Sequence, residues 1–365
     1  MKEGKKVKIY IGLAILLSLC IVASTVISVC SLTAIGSLKN EVAVITGNVG
    51  DDDQENDITI MSEYTIESTK NISDAYKKNS DAELSDKEKE TLKLASDVLD
   101  EIITEGMSDY EKEKAIYDWL VKNVGQDKGL LTVIPSSGED SDNPYGVLKY
   151  HDAVCVGYAT TFRLFMEMMD IQCMVVHNTE RVHTWDLVKL GDNWYHTDVY
   201  SDAESGNYAR FNLNDSMLSQ EQQWNRDFFP AAKGLEYNYS FMNQGIAKDI
   251  FDIPAVFKKK LDEEVYTFVI GFEKQPVNED AEIVNTIMNS IQERLLVDYP
   301  ESYVNWNWQQ DKDGKYVLME QIYLGTDDNT QITPEDAKKI GKKIAKAFGD
   351  KDIWPVYTGE IGFEM

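Results

Sequence analysis

Asp152-Ala-Val-Cys155-Val-Gly157-Tyr158-Ala-Thr-Thr-Phe162-Arg-Leu-Phe165-Met166-Glu-Met-Met169 is the stretch from which the rest of the chain is best read. Tyr158, Phe162, Phe165, Met166 and Met169 recur at three- and four-residue spacing, so they form one apolar helix face. Asp152 is expected to be the N-cap, which places Cys155 in the first turn. A thiol is a nucleophile only as thiolate, and a helix N-terminus with a nearby imidazolium lowers its pKa. Cys155 therefore reads as a nucleophile in need of a base.

The chain has four histidines: His151, His177, His183 and His196. Downstream of the helix, Gln172–His177 reads as a strand. Val182–Leu190 and Asn193–Tyr200 then read as a hairpin about Gly191-Asp192. A two-residue turn puts Leu190 opposite Asn193, Trp185 opposite Asp198, and His183 opposite Tyr200. His183 and Asp198 become diagonal neighbours on one face, ~7–8 Å apart at the backbone and within side-chain reach. His196 shares that face, opposite Leu187, but lies nearer the turn. A carboxylate beside an imidazole fixes its tautomer. Taken singly, Cys155 could be a core cysteine and His183 a hydrogen-bonded strand histidine. A helix-start cysteine followed by a histidine and an aspartate on one hairpin face is far less expected by chance.

Composition narrows the function classes. The 365 residues are 43% hydrophobic and 27% charged, the balance of a folded protein. A net charge of −27 is repelled by phosphate backbones and anionic lipid, so no nucleic-acid partner is expected. Cys20 and Cys30 fall in an N-terminal apolar run, leaving Cys155 and Cys173 for the folded part. No zinc-type cysteine spacing occurs, and neither a metal nor a cofactor is expected. A Cys155–Cys173 disulfide is the competing reading of that pair, although Cys173 sits in an apolar stretch where a lone cysteine usually packs.

Residues 9–36 carry no charge and follow Lys2, Lys5, Lys6 and Lys8. At ~1.5 Å per residue they exceed a ~30 Å hydrocarbon core, so they read as a transmembrane anchor or signal. The lysines keep residues 1–8 cytoplasmic and place the remainder outside the cell membrane. Residues 37–60, with the acidic run Asp51–Asp57, read as a disordered linker. Residues 61–245 read as a mixed α/β domain whose helices open at two capping boxes, Ser85 with Glu88 and Ser108 with Glu111. Gly125 to Asn143 reads as a surface loop. Residues 254–365 read as a smaller domain of strand 265–272, helix 279–296, strands 303–309 and 316–324, a helix opened by Thr333-Pro334, and a strand near 354–357. That order is βαββαβ, a ferredoxin-like arrangement. Asp311-Lys-Asp-Gly314 is a fragment of a calcium loop that a hairpin turn explains fully.

Four short motifs now carry a family resemblance. Tyr145-Gly-Val-Leu, Ala153-Val-Cys155-Val-Gly157-Tyr158-Ala, His183-Thr-Trp185-Asp-Leu-Val and Trp194-Tyr-His-Thr-Asp198-Val occur in order. They resemble the core motifs of the transglutaminase-like superfamily over roughly residues 105–215. The resemblance implies an α+β fold with a papain-like core and a triad in which Cys155 is the nucleophile, His183 the base and Asp198 its orienter. It also implies an oxyanion hole using the Cys155 N–H, with Tyr145 as side-chain donor, and a Trp185 that shields the histidine. Val156 stands where relatives often have Gln or Glu, Asp186 where they often have Asn, and Tyr200-Ser201-Asp202 where they often continue Thr-Trp-Asp. The implied activity is thiol acyl transfer on peptide or isopeptide bonds, hydrolysis being expected over cross-linking. Its expected substrates are proteins or peptides of the cell envelope. The alternatives are an inert anchored scaffold and a metal hydrolase, the latter without HExxH-type spacing to support it.

Overall fold

The computed structural model describes residues 58–59, 65–127, 140–180, 182–203, 205–298 and 302–323. The apolar run 9–36, the helix expected after Thr333 and the strand expected near 354–357 lie outside these residues. Among the described residues, no helix is long and apolar enough to cross a membrane.

Helices α1 (Lys70–Lys78), α2 (Asp86–Ile102) and α3 (Asp109–Asn123) follow the two-residue strands Ile58–Thr59 and Thr65–Ile66. Both expected capping boxes form: Ser85 and Ser108 each accept from the backbone of the glutamate three residues on, and that glutamate's side chain returns the bond. Two orphan donors are satisfied at each helix start, which fixes where the helix begins. Strand β1 (Gly125–Gln126) follows, and α4 (Pro144–Tyr150) is capped by Asn143 with proline in its first turn.

Strand β2 (Asp152–Ala153) corrects the expected start of the next helix. It pairs in parallel with β1, Gly125 opposite Asp152 and Gln126 opposite Ala153. With its backbone in this ladder, Asp152 is three residues from the helix and cannot cap it. The N-cap of α5 (Cys155–Met168) is Val154, extended and without a side-chain bond. Cys155 is thus the first helical residue. The segment at Ser141 crosses directly over this turn: the Val154 N–H donates to the Ser141 carbonyl at 3.0 Å. A Cβ on Gly157 would lie 2.1 Å from that carbonyl oxygen, so only glycine permits the crossing.

Helix α5 is buried along nearly its whole length. It packs against strands β3 (Cys173–His177), β4 (Thr184–Leu190) and β5 (Asn193–Thr197), an antiparallel sheet in that order. Ile116, Leu120, Phe162, Phe165, Val188 and Tyr195 belong to the core formed there. The β4–β5 hairpin has the expected register, Leu190 opposite Asn193 and Leu187 opposite His196. It ends earlier than expected, because the chain turns into the short helix α6 (Val199–Ala203) just after Asp198.

The C-terminal region contains β6 (Gly245–Ala247), α7 (Ile253–Asp262), β7 (Thr267–Phe272), α8 (Asp280–Asp298), β8 (Tyr303–Gln310) and β9 (Tyr316–Tyr323). Its sheet runs β8-β9-β7-β6, with β6 parallel to β7 and the other pairs antiparallel. Strand β6, only three residues long, adds to the expected set. The boundary expected between 245 and 254 is crossed by packing: Val269, Val317 and Met319 share one buried cluster with Val176, Trp185 and Leu187. The opposite face of the same sheet, including Phe268, Ile270 and Leu318, packs with Phe257 and Ile287. Strands with two apolar faces need a cover on each side. The turn Asp311–Gly314 is a hairpin turn, with Gly314 at positive φ and the Asp311 carboxylate accepting from the backbone of Asp313 and Lys315.

Candidate active site

Cys155 stands at the N-terminus of α5, where the first-turn N–H groups have no intrahelical partner and the helix dipole favours negative charge. It is fully buried and free of disulfide, as is Cys173, so the disulfide alternative is excluded. Cys173 donates to Asp186 Oδ1 at 3.5 Å. Burial pushes the Asp186 carboxyl well above the usual carboxylate range, so it is held neutral at the position where relatives often have Asn.

His183 immediately precedes β4, and Asp198 immediately follows β5. The open end of the hairpin therefore brings them together: His183 Nε2 lies 2.6 Å from Asp198 Oδ2. His183 also interacts with Cys155, and that contact raises its pKa. Burial alone would lower the histidine's pKa. The Asp198 charge, the hydrogen bond to it and the contact with Cys155 outweigh that and push it up to about 10. For Asp198, burial raises the carboxyl, but the His183 charge and the bonds from His183 and Ser201 hold it below its ordinary value. The buried pair is ionised on both sides near neutral pH.

The imidazole is framed by Trp185, stacked at 6.0 Å between centroids, and Tyr200 at 5.8 Å. Trp185 is in turn anchored, its indole N–H donating to His196 Nδ1 at 3.0 Å. His196 Nε2 bonds Asp215 Oδ1 at 3.0 Å, and burial lowers the His196 pKa, so this histidine is neutral. His196 thus serves the tryptophan, with both ring nitrogens occupied away from Cys155. The remaining histidines are elsewhere: His151 Nδ1 meets the Asn123 carbonyl, and His177 packs edge-on to Phe229. Among the described residues, no group of three or more His, Cys, Asp or Glu is arranged to hold a metal.

The expectation for Tyr145 is corrected. Its hydroxyl accepts from Lys149 and bonds Glu90, with Lys87 over its ring, on the outer surface of α4. The favourable cationic pair draws the phenol there, so it is not brought to Cys155 as an oxyanion donor.

Several supporting residues lie outside the four motifs or between them. Asn178 Oδ1 accepts from the backbone of both Val182 and His183, and so fixes the approach to the base. An asparagine in a loop that closes on its own backbone is the usual signal. Ser201 donates its hydroxyl to Asp198 Oδ2 at 2.7 Å and its N–H to Oδ1 at 3.0 Å. An aspartate three residues before the donor is an N-cap pattern, visible in Asp198-x-x-Ser201. Glu113 is also fully buried, bonded to Thr197 and Asn212, with burial pushing it up to about 8. It lies on the buried stripe of α3, three, four and seven residues before Ile116, Tyr117 and Leu120, and only the tertiary structure shows its partners.

Residues 96–199 match the family model of the Transglutaminase-like superfamily. No curated protein matches the chain significantly. Two chains of solved structures do. One, described as "Crystal structure of a TGase", is 18% identical with a TM-score of 0.26 and covers 35% of this chain. The match spans only 36% of that protein, little more than a third of its length. The segment matched by the family model holds Cys155, His183 and Asp198, and over it this chain is similar to the Transglutaminase-like superfamily.

Proposed function

We propose that the protein is a thiol acyl-transfer enzyme in which Cys155 is the nucleophile, His183 the general acid and base, and Asp198 the residue that orients and charges the imidazole. The observation that carries this reading is the buried His183–Asp198 pair at 2.6 Å in contact with a helix-start cysteine. The Cys155 thiolate attacks an amide carbonyl carbon, and as the C–N bond breaks the His183 imidazolium gives its proton to the leaving nitrogen. A thioester remains. Neutral His183 then takes a proton from water, whose oxygen displaces the thiolate, releasing the acid and restoring the ion pair. An amine in place of water gives transfer instead; hydrolysis is the preferred outcome in this proposal. Acid–base assistance of this kind is worth ~10²–10⁴ in rate. The substrates proposed are peptide or isopeptide bonds of cell-envelope proteins. Residues 9–36 would serve as the membrane anchor and the catalytic domain would lie outside, with a ferredoxin-like C-terminal region beside it.

A second reading, an inert anchored scaffold, is favoured by one observation: Cys155 is fully buried and His183 nearly so. Iodoacetamide alkylation of the full chain decides between them, with mass spectrometry resolving Cys155 from Cys20, Cys30 and Cys173. Rapid alkylation of Cys155 well below pH 8, slowed in His183→Ala, supports the enzyme. Alkylation only at the rate of an ordinary buried thiol would sink it. An amine-acceptor assay on a peptide amide then separates transfer from hydrolysis.

A further inference from the structure

The run Tyr200-Ser201-Asp202, where this chain departs from the Thr-Trp-Asp of many relatives, contains a second donor to the triad carboxylate beside His183. Ser201 Oγ lies 2.7 Å from Asp198 Oδ2, the same oxygen that His183 Nε2 approaches at 2.6 Å. The Ser201 backbone N–H holds the other oxygen, Oδ1, at 3.0 Å. We propose that Ser201 is a positioning residue that shares one oxygen of Asp198 with His183 and thereby limits how tightly the imidazolium proton is held. This rests on the reading of Cys155, His183 and Asp198 as a working triad.

The physical reason is shared charge. Each donor to a carboxylate draws on its negative charge, so a second donor on Oδ2 weakens the pull on the first. Removing the hydroxyl leaves the backbone bond at Oδ1, so the carboxylate keeps its orientation while its full charge falls on His183. A tryptophan at this position has no hydroxyl to donate and would leave the dyad in that stronger state. The charged and titratable groups facing the dyad are Cys155 on α5, Asp186 on β4, Tyr200 and Asp202 on α6 and Arg210 on the following loop. None is altered by a serine substitution.

The test is the pH profile of Cys155 alkylation by iodoacetate in the full chain, whose anion is drawn to the imidazolium and reacts more slowly once that proton is lost, comparing wild type, Ser201→Ala and Ser201→Thr. The thiolate–imidazolium state is bounded by an acid limb, where the thiol is protonated, and an alkaline limb, where the imidazolium loses its proton. In Ser201→Ala the window widens, the alkaline limb rising by about half a unit to one unit, the scale of one shared charge-assisted bond. Ser201→Thr keeps the hydroxyl and the wild-type limbs, and far-ultraviolet circular dichroism reports the fold of each variant. Limbs that stay in place or move inward in a folded Ser201→Ala overturn the proposal. Should the alanine variant not fold, Ser201→Gly carries the same expectation and is overturned by the same result. If wild-type Cys155 shows no such window at all, the triad reading fails first, which is a separate outcome from a window that Ser201 does not tune.

Discussion

Among the described residues, two antiparallel hairpins bury ionisable groups, and they treat them oppositely. The β4–β5 hairpin gathers His183, Asp198, His196 and Asp186, and each has a named partner: Asp198, Ser201, Trp185, Asp215 or Cys173. The β8–β9 hairpin buries Glu320 completely between Phe268 and Trp306, and neither carboxyl oxygen has a hydrogen-bond partner among the described residues. Burial pushes the Glu320 carboxyl well above its ordinary range, so it sits neutral. Paired burial holds geometry, and in the His183–Asp198 pair it also keeps charge; unpaired burial removes the charge and costs stability. The first is an arrangement able to do chemistry, and the second is a liability for folding.

The largest expected effect breaks the paired hairpin. His183→Ala should slow both Cys155 alkylation near neutral pH and any amide turnover by about 10²–10⁴-fold. Unfolding midpoints in urea should accompany it, so that a rate loss in a folded protein is told from a collapsed site. A loss below tenfold would remove His183 from the chemistry.

The next effect sharpens the contrast from the other side. Replacing Glu320 by Leu should stabilise the protein at pH 8 by about 1–3 kcal/mol, the usual scale of an unsatisfied buried polar group. The sign of the pH dependence follows from the raised carboxyl. Its stabilising state is the neutral one, fully present below the unfolded value of about 4.5 and lost as pH rises toward the folded value. Wild type should therefore lose stability from pH 5 to pH 8 more steeply than Glu320→Gln. Glu113 and Asp202, raised to about 8 and about 7, add slope of the same sign to both proteins, so the difference isolates Glu320. Parallel urea midpoints for the two across that range would show that Glu320 has a partner.

The smallest effect concerns Tyr145. Tyr145→Phe removes a surface hydroxyl from Lys149 and Glu90 and should change stability by less than about 0.5 kcal/mol. The alkylation rate of Cys155 should be unchanged. A tenfold drop in amide turnover, with alkylation preserved, would instead return Tyr145 to the oxyanion site.

Much of the site is legible without coordinates because it is local. The capping boxes at Ser85 and Ser108 are three-residue patterns, and the hairpin register follows from a two-residue turn. The neighbourhood of His183 and Asp198 is therefore set by counting from Gly191 and Asp192. The helix start at Cys155 needs more. Asp152 looks like its cap, but the pairing of Asp152 with Gly125 joins residues far apart in sequence, and no local pattern announces a two-residue parallel ladder. Tyr145 departs from expectation for the same reason, its hydroxyl being drawn to Glu90 on another helix.

The amino-acid sequence by itself determined the helices opened at Ser85 and Ser108, the hairpin register and the proximity of His183 to Asp198, since these rest on periodicity, caps and turns. Only the tertiary structure decided that Val154 rather than Asp152 begins the central helix and that Gly157 lets the Ser141 backbone cross it. It also decided that Ser201 shares the Asp198 carboxylate, and that the C-terminal sheet packs on the hairpin carrying His183. Those outcomes depend on which distant surfaces meet, and hydrophobic burial is non-directional, so local pattern leaves that choice open.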